Sequence, residues 1–131
     1  MERIEAADYG LHVVFGGPMG GGQAEELLAE LRSKLPPPGG AFGVLVDARR
    51  ATAFPAATRE VLKRCILLCM ERGMERQAVV LDSAVSMLQV KRLGKETGTL
   101  AWTRYFDAGS RPDWKRLALD WLRHAIEPDL E

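Results

Sequence analysis

Two aspartates stand directly behind apolar runs of the kind that form buried strands. Asp47 follows residues 42–46 and Asp82 follows residues 78–81, and such continuous runs are typical of strands covered on both faces. Ligands of open α/β sheets bind beyond the carboxyl ends of the strands. The two carboxylates and their neighbours are therefore candidates for contact with a ligand or a partner: Asp47, Arg49, Arg50, Thr52, Thr58, Asp82 and Ser83.

The arginines in this group would suit a small anion, so one hypothesis places an anionic or apolar ligand at the carboxyl edge of the sheet. The alternative is that the same residues cap turns and face water, and this interpretation is favoured. Ser83 and Ser86 have no histidine near them in sequence and no Gly-x-Ser-x-Gly motif around them. We interpret both as helix caps, Ser86 with Gln89 forming a capping box, and predict that the chain is not an enzyme.

Cysteine and histidine also fail to form a recognisable metal motif. Cys65 and Cys69 are four residues apart in a helical pattern, which puts both thiols on one face of a helix, where a disulfide is geometrically poor. His12 and His124 lie far apart and have no ligand-like neighbours. We therefore predict two buried thiols in a reducing compartment, no metal and no cofactor.

A glycine-rich segment at residues 16–22 separates an apolar run from a helical pattern. Such loops can bind phosphate through backbone N–H groups. However, neither common phosphate-binding glycine motif is present, and no lysine or arginine lies between Gly16 and Leu31. We interpret the segment as a flexible connection rather than a nucleotide site.

The middle of the second predicted helix is apolar all round, from Cys65 to Met70. One face must cover the sheet, so the other would expose Leu67, Leu68 or Met70 unless something covers it. We expect either self-association, as a homodimer or with a protein partner, or burial under a neighbouring helix.

The elements around these residues alternate between strand and helix. Strands are predicted at residues 3–7, 11–15, 42–46, 78–81 and 101–106, the first two as a hairpin. Helices are predicted from residue 24 to 35, from Pro55 to Gly73, from Ser86 onward and from Ser110 onward, with residues 127–131 a loose tail. This order, ββαβαβαβα, predicts one α/β domain with a mixed, mostly parallel sheet of about five strands, the first antiparallel, and about four helices.

The composition excludes some classes of partner. The chain has 131 residues, with 18 basic and 18 acidic side chains, and zero net charge gives no general attraction to nucleic acid or anionic membrane. The longest apolar run is six residues, residues 65–70, far below the roughly 20 needed to span a bilayer. The charged N-terminus lacks a secretory pattern. We expect a cytoplasmic protein.

Several of these segments together resemble a known family. Val44-Leu45-Val46-Asp47 leads into a helix, Ala78-Val79-Val80-Leu81 follows, and the chain closes with Arg104-Tyr105-Phe106 and then Ala118 and Trp121-Leu122. This layout resembles the SpoIIAA-like proteins of the STAS superfamily, the sulfate-transporter and anti-sigma-factor-antagonist fold, in its stand-alone bacterial branch. The resemblance covers nearly the whole chain.

The resemblance implies a non-catalytic module. Anti-sigma-factor antagonists carry a phosphorylatable serine at the start of the helix after the Asp-ending strand. The matching place here is Pro55-Ala56-Ala57, and Thr58 is the nearest hydroxyl, so that switch is not expected. We therefore expect a protein-interaction or regulatory module. The alternative is a carrier of a small apolar or anionic ligand, since the stand-alone branch is likened to a lipid-transfer fold.

Overall fold

Five strands form one sheet in the order in which they occur in the chain. The computed structural model describes residues 2–15, 17 and 19–130. The strands are β1 (Glu2–Ala7), β2 (Gly10–Phe15), β3 (Phe42–Ala48), β4 (Met74–Leu81) and β5 (Thr103–Asp107). β1 and β2 pair antiparallel, and every other pair is parallel. The predicted α/β class and mixed sheet are confirmed.

Four α-helices connect and close the sheet in the predicted order: α1 (Gly21–Lys34), α2 (Ala56–Arg72), α3 (Ala84–Thr97) and α4 (Trp114–His124). Gly73 ends α2 in the left-handed conformation, as expected of a glycine C-cap. The chain then enters β4 at once, so β4 begins four residues earlier than predicted. Of the described residues, no helix combines the length and the apolarity needed to cross a bilayer.

The strand order decides which face each helix covers. Right-handed crossovers between neighbouring parallel strands all return on the same side when the strands follow one another in sequence. Accordingly α1, α2 and α3 share one core with residues such as Val13, Val44 and Val79. α4 packs on the opposite face, against Leu45, Val80 and other residues of β3 to β5.

A single helix does not cover the whole of that second face. Side chains alternate along a strand, so β1 and β2 turn Arg3, Glu5, His12 and Val14 to the side of α4, opposite Ile4 and Val13 in the first core. Arg3 and Glu5 are exposed, while His12 and Val14 are half-buried. This face of the β1–β2 hairpin carries polar side chains because α4 does not cover it.

The start of α3 differs from the prediction. Ser83, not Ser86, is the N-cap, and its Oγ accepts a hydrogen bond from the Ser86 backbone N–H at 3.3 Å. Gln89 forms no capping box, because its amide binds the backbone of Phe54 instead. Phe54 N donates to Gln89 Oε1 at 2.8 Å and Gln89 Nε2 donates to Phe54 O at 3.1 Å.

Two other boundaries also change. Gly21 and Gly22 belong to α1, so the glycine-rich segment is shorter than predicted, and its residues Gly16 and Pro18 lie outside the described residues. Part of the segment predicted as a loose tail, residues 127–131, contacts the rest of the chain. Arg104 donates two hydrogen bonds to the carboxylate of Glu127, at 2.6 and 2.8 Å, and Pro128 is buried. The hydrogen bonds between Arg104 and Glu127 join residues 23 positions apart in the chain. Glu131 lies outside the described residues.

Candidate functional site

Three aspartates meet at one edge of the sheet because β3, β4 and β5 run parallel. Asp47 is the next-to-last residue of β3, Asp82 directly follows β4, and Asp107 ends β5. Asp47 and Asp82 were predicted to lie at this edge. Asp107 was missed, although the same signal, an acidic residue directly behind a strand-like run, was present in the sequence.

The carboxylate of Asp47 is already occupied. Arg49 Nε donates to Asp47 Oδ1 at 2.9 Å, and an Arg49 terminal nitrogen donates to Oδ2 at 2.7 Å. The guanidinium carbon of Arg49 lies 4.8 Å from the centroid of the Trp114 ring, within the range of cation–π attraction. The pair therefore joins the end of β3 to the first residue of α4.

Charge at this pair sets the ionisation of Asp47. Burial acts to raise the pKa of Asp47, but the hydrogen bonds and positive charge of Arg49 outweigh it, with a smaller contribution from His12, and hold the pKa below its ordinary value. The carboxylate is thus charged and compensated at neutral pH. It is not available as a ligand unless Arg49 moves.

Acidification should weaken the fold through this pair. A carboxylate whose pKa is lower in the folded state than in the unfolded chain stabilises the fold above the unfolded pKa, about 3.9. That stability is lost as the pH falls through the folded pKa. Asp47→Asn should therefore be less stable than the wild type at pH 7, and the difference should shrink below about pH 4. Urea unfolding from pH 7 to pH 2.5 measures it.

Arg49→Met provides the matched control, since it removes the partner rather than the carboxylate. Its difference from the wild type should shrink over the same range of pH. A difference between wild type and Asp47→Asn that stays constant from pH 7 to pH 2.5 would contradict the assigned role of the pair.

The predicted hydroxyl groups at this edge hold the backbone together. Thr58 is fully buried, and its Oγ1 donates to Met19 O at 2.9 Å. Ser83 Oγ donates to Thr52 O at 3.2 Å, in addition to capping α3. The side chains of Arg50 and Thr52 are exposed. The structure therefore brings Asp47 to Arg49 and Ser83 to the backbone of Thr52, while Thr58 lies in the interior.

Asp82 and Asp107 border an open hollow of about 590 Å³ beside the start of α3. A Cβ atom at position 109 would lie 3.1 Å from Asp82 Oδ1 and 3.3 Å from Asp107 Oδ1. Glycine at this position therefore leaves room for both carboxylates beside the backbone. The other wall of the hollow includes Met87 and Leu88, and none of its lining residues is basic. The hollow thus combines two carboxylates with apolar surface, and the positive charge of Arg49, which acts on Asp82, lies outside the hollow and is already paired with Asp47.

Leu88 is the most exposed large apolar side chain of the described residues, at 71%. Val85, one turn earlier on α3, is 55% exposed. These two side chains extend the apolar wall of the hollow onto the outer face of the helix. We refer to Asp82, Asp107, Val85 and Leu88 together as the α3 surface. The sequence analysis missed its apolar half. Val85 lay before the predicted start of the helix at Ser86, and Leu88 lay inside the predicted helix but was not recognised as exposed.

The hydrogen bonds of the described residues do not include one that joins a serine, threonine or cysteine side chain to a histidine or a carboxylate. Within residues 2–15, 17 and 19–130, no three histidine, cysteine or acidic side chains converge as metal ligands. The side chains present at this edge include two carboxylates and exposed apolar groups.

The residues predicted for self-association do not form one continuous patch. Leu67 is 45% exposed and lies opposite the buried stripe of α2. Leu68 and Met70 are half-buried and pack against the first core. The neighbouring elements therefore cover part of the apolar run, and Leu67 is its exposed member.

No family model, curated protein or solved structure matches this chain. Any function must therefore be inferred from the arrangement of its own residues.

Proposed function

We propose that the chain is a non-enzymatic, STAS-like protein-interaction or regulatory module whose partner docks on the α3 surface. The observation that carries this proposal is the exposure of Leu88, at 71%, beside two carboxylates that no basic side chain of the hollow compensates. An exposed apolar patch rimmed by polar groups is typical of an interaction site. The layout of strands and helices supports the STAS-like part of the proposal.

The charge of the surface selects the chemistry of the partner. Asp47 is paired with Arg49, whereas Asp82 accepts no side-chain hydrogen bond from the described residues and Asp107 accepts one from the Gly109 backbone at 3.0 Å. A partner segment that places an apolar side chain on Leu88 and lysine or arginine beside it would satisfy both halves. Complementary charges of this kind also speed association and reject acidic competitors.

The occupied groups at the edge favour recognition over catalysis. Asp47 binds Arg49, Thr58 binds Met19 and Ser83 caps α3. These three groups are thus used to hold the structure together, while Asp82 stays unpaired among the described residues and is open to a partner. The carrier hypothesis fits this edge less well for an anionic ligand, because the ligand would meet the carboxylates of Asp82 and Asp107 in the hollow.

Leu88→Glu is expected to weaken partner binding at least tenfold, because truncated or charged hot-spot side chains cost more than about 1.4 kcal/mol. Proteins retained from a lysate of the host by the immobilised wild type would be identified and purified. Their affinity for the wild type and the variants would then be measured by calorimetry. Raising the salt concentration should also weaken binding.

Leu67→Glu is the matched control, since it puts the same charge on the exposed face of α2. It should change the affinity by less than twofold. Loss of binding in Leu67→Glu, with normal binding in Leu88→Glu, would move the partner to α2. It would also support self-association there, which sedimentation of the wild type at high concentration would detect. Failure of the wild type to retain any protein would contradict the interaction role itself.

A further inference from the structure

A cavity of about 80 Å³ lies inside the first core, between the sheet and helices α1, α2 and α3. Its floor is formed by apolar side chains of the strands, such as Val13, Val44 and Val79. Its roof includes Leu27 of α1 and Leu93 of α3. Native interiors contain few voids larger than a water molecule, so a space of this size under three helices requires an explanation.

Helix α3 forms one part of the wall of this cavity. Near its start, Gln89 is bound to both backbone groups of Phe54. At its end, Thr97 Oγ1 donates to Leu93 O at 2.8 Å and meets Thr99 Oγ1 at 3.0 Å. The first half of the helix is therefore tied to the distant segment at Phe54, whereas the bonds of Thr97 stay within the last turn of α3 and the turn that follows it. Val90, Leu93 and Gly94, between these points, line the cavity.

Two cysteines contribute to the wall without adding charge. Cys65 and Cys69 both line the cavity, and both are buried and free. Burial raises the pKa of each thiol to about 12, so both are neutral at physiological pH. A neutral buried thiol behaves as a small apolar side chain.

One polar group in the wall lacks a partner. Gln77 lines the cavity and is 7% exposed, and its Oε1 accepts a hydrogen bond from Thr103 Oγ1 at 3.2 Å. Its amide nitrogen makes no hydrogen bond with any described residue. The atoms of the described residues that are fully buried and unpartnered do not include this nitrogen, so it borders accessible space, and a ligand in the cavity can accept a hydrogen bond from it.

Tyr105 adds a second polar group to the same wall. It is two residues along β5 from Thr103, the Cα partner of Gln77, so it lies diagonally across from Gln77 on the same face. Its hydroxyl lies against α3 at Gly94, where a Cβ atom would come within 2.3 Å of it. Among the described residues it has no hydrogen-bond partner. The cavity therefore has one polar corner in an otherwise apolar wall.

The cavity reaches the surface between α2 and α3. Ile66, Val90, Val46 and Tyr105 line it and are only half-buried. Outside this rim, Lys63 and Glu96 approach to 4.0 Å across the same two helices. A small molecule thus has a route to the interior that needs no opening of the sheet.

We propose that this cavity binds a short apolar molecule, or the end of a longer apolar chain, that carries one hydrogen-bond acceptor for Gln77. An engineered apolar cavity of about 150 Å³ takes up benzene, which has six non-hydrogen atoms, so by proportion the space of about 80 Å³ here encloses about three. The rest of a slightly larger molecule would lie at the rim between α2 and α3. A carbonyl oxygen is the simplest acceptor of that size. The site is separate from the α3 surface and does not depend on the proposed partner.

Butanone and 2-methyl-1-butene test the proposal, because they share a shape and differ in the acceptor. Each would be titrated into the full chain while the methyl resonances of Val79, Val90 and Leu93 are followed by NMR. We expect saturable shifts at these methyl groups, with dissociation constants in the millimolar range. Absence of saturable shifts with both probes would overturn the proposal.

Val90→Phe should fill the space from the rim and weaken binding of both probes at least tenfold. Leu67→Phe, the same enlargement on the exposed face of α2, should leave the affinity within twofold of the wild type. Ile66→Phe provides a second cavity-filling variant if Val90→Phe does not give a folded spectrum. Unchanged binding in a folded cavity-filling variant would show that the probes bind elsewhere.

Gln77→Met should abolish the preference for butanone and keep the binding of the alkene. The ratio of the two dissociation constants should change by about 3- to 10-fold, the range of one hydrogen bond. An unchanged ratio in Gln77→Met would overturn the assignment of an acceptor-bearing ligand.

Discussion

Trp121→Ala is expected to lower the free energy of unfolding by about 3–5 kcal/mol, the usual cost of removing a buried tryptophan. Trp121 is 7% exposed and lies in the core between α4 and the sheet. Because α4 alone covers this face, the remaining side chains cannot close the space from a second helix. Urea unfolding followed by circular dichroism measures the loss, and the melting temperature should fall by roughly 10–20 °C.

A second variant separates the contributions of ring size and charge at this position. The guanidinium carbon of Arg104 lies 4.1 Å from the centroid of the Trp121 ring, and Arg104 also binds Glu127. Trp121→Phe keeps an aromatic ring for Arg104 and should lose less than half as much stability as Trp121→Ala. A loss under about 1 kcal/mol for Trp121→Ala, below the range for a core aromatic, would mean that α4 does not pack on the sheet as described.

Gly10→Ala should cost nearly as much, for a different reason. Gly10 begins β2 with φ at +145°, and a Cβ atom there would lie 2.1 Å from the carbonyl oxygen of Gly43 and 2.9 Å from its nitrogen. Side chains rarely adopt this conformation, and a backbone neighbour cannot swing aside as a side chain can. Strain and crowding together are expected to lower the free energy of unfolding by about 3–5 kcal/mol.

Gly39→Ala is the control for this prediction. Gly39 also has a positive φ, +114°, but a Cβ atom there would meet nothing within 4 Å. Its cost should be limited to the backbone conformation, about 1–2 kcal/mol. The same thermal and urea unfolding measurements apply to both variants. Equal losses in the two would show that β2 and β3 do not approach as closely at Gly43 as described.

Local sequence patterns were sufficient to predict where Asp47 and Asp82 lie in the fold. The apolar runs behind Asp47 and Asp82 predicted strands, and parallel strands bring their carboxyl ends to one edge of a sheet. The structure has both residues at that edge. The pairing of Asp47 with Arg49 could not be read from the pattern, since residues two apart meet only where the chain turns. The burial of Thr58 could not be predicted from the pattern either, because it depends on the distant segment at Met19.

The sequence by itself determined the order of strands and helices, the antiparallel first pair and the burial of the two cysteines. These follow from the period of the apolar residues and from short-range turn and cap preferences, which act within a few residues. The glycine after α2 is one case, because Gly73 supplies the left-handed conformation that ends the helix.

Only the tertiary structure decided which surfaces and spaces remain. Ser83 rather than Ser86 caps α3, and Gln89 binds Phe54, 35 residues away. Three helices share one face of the sheet, so they leave a cavity beside Gln77 and turn Leu88 outward. Such features depend on contacts between segments distant in the chain. No local pattern specifies them, because each depends on where every other element has packed.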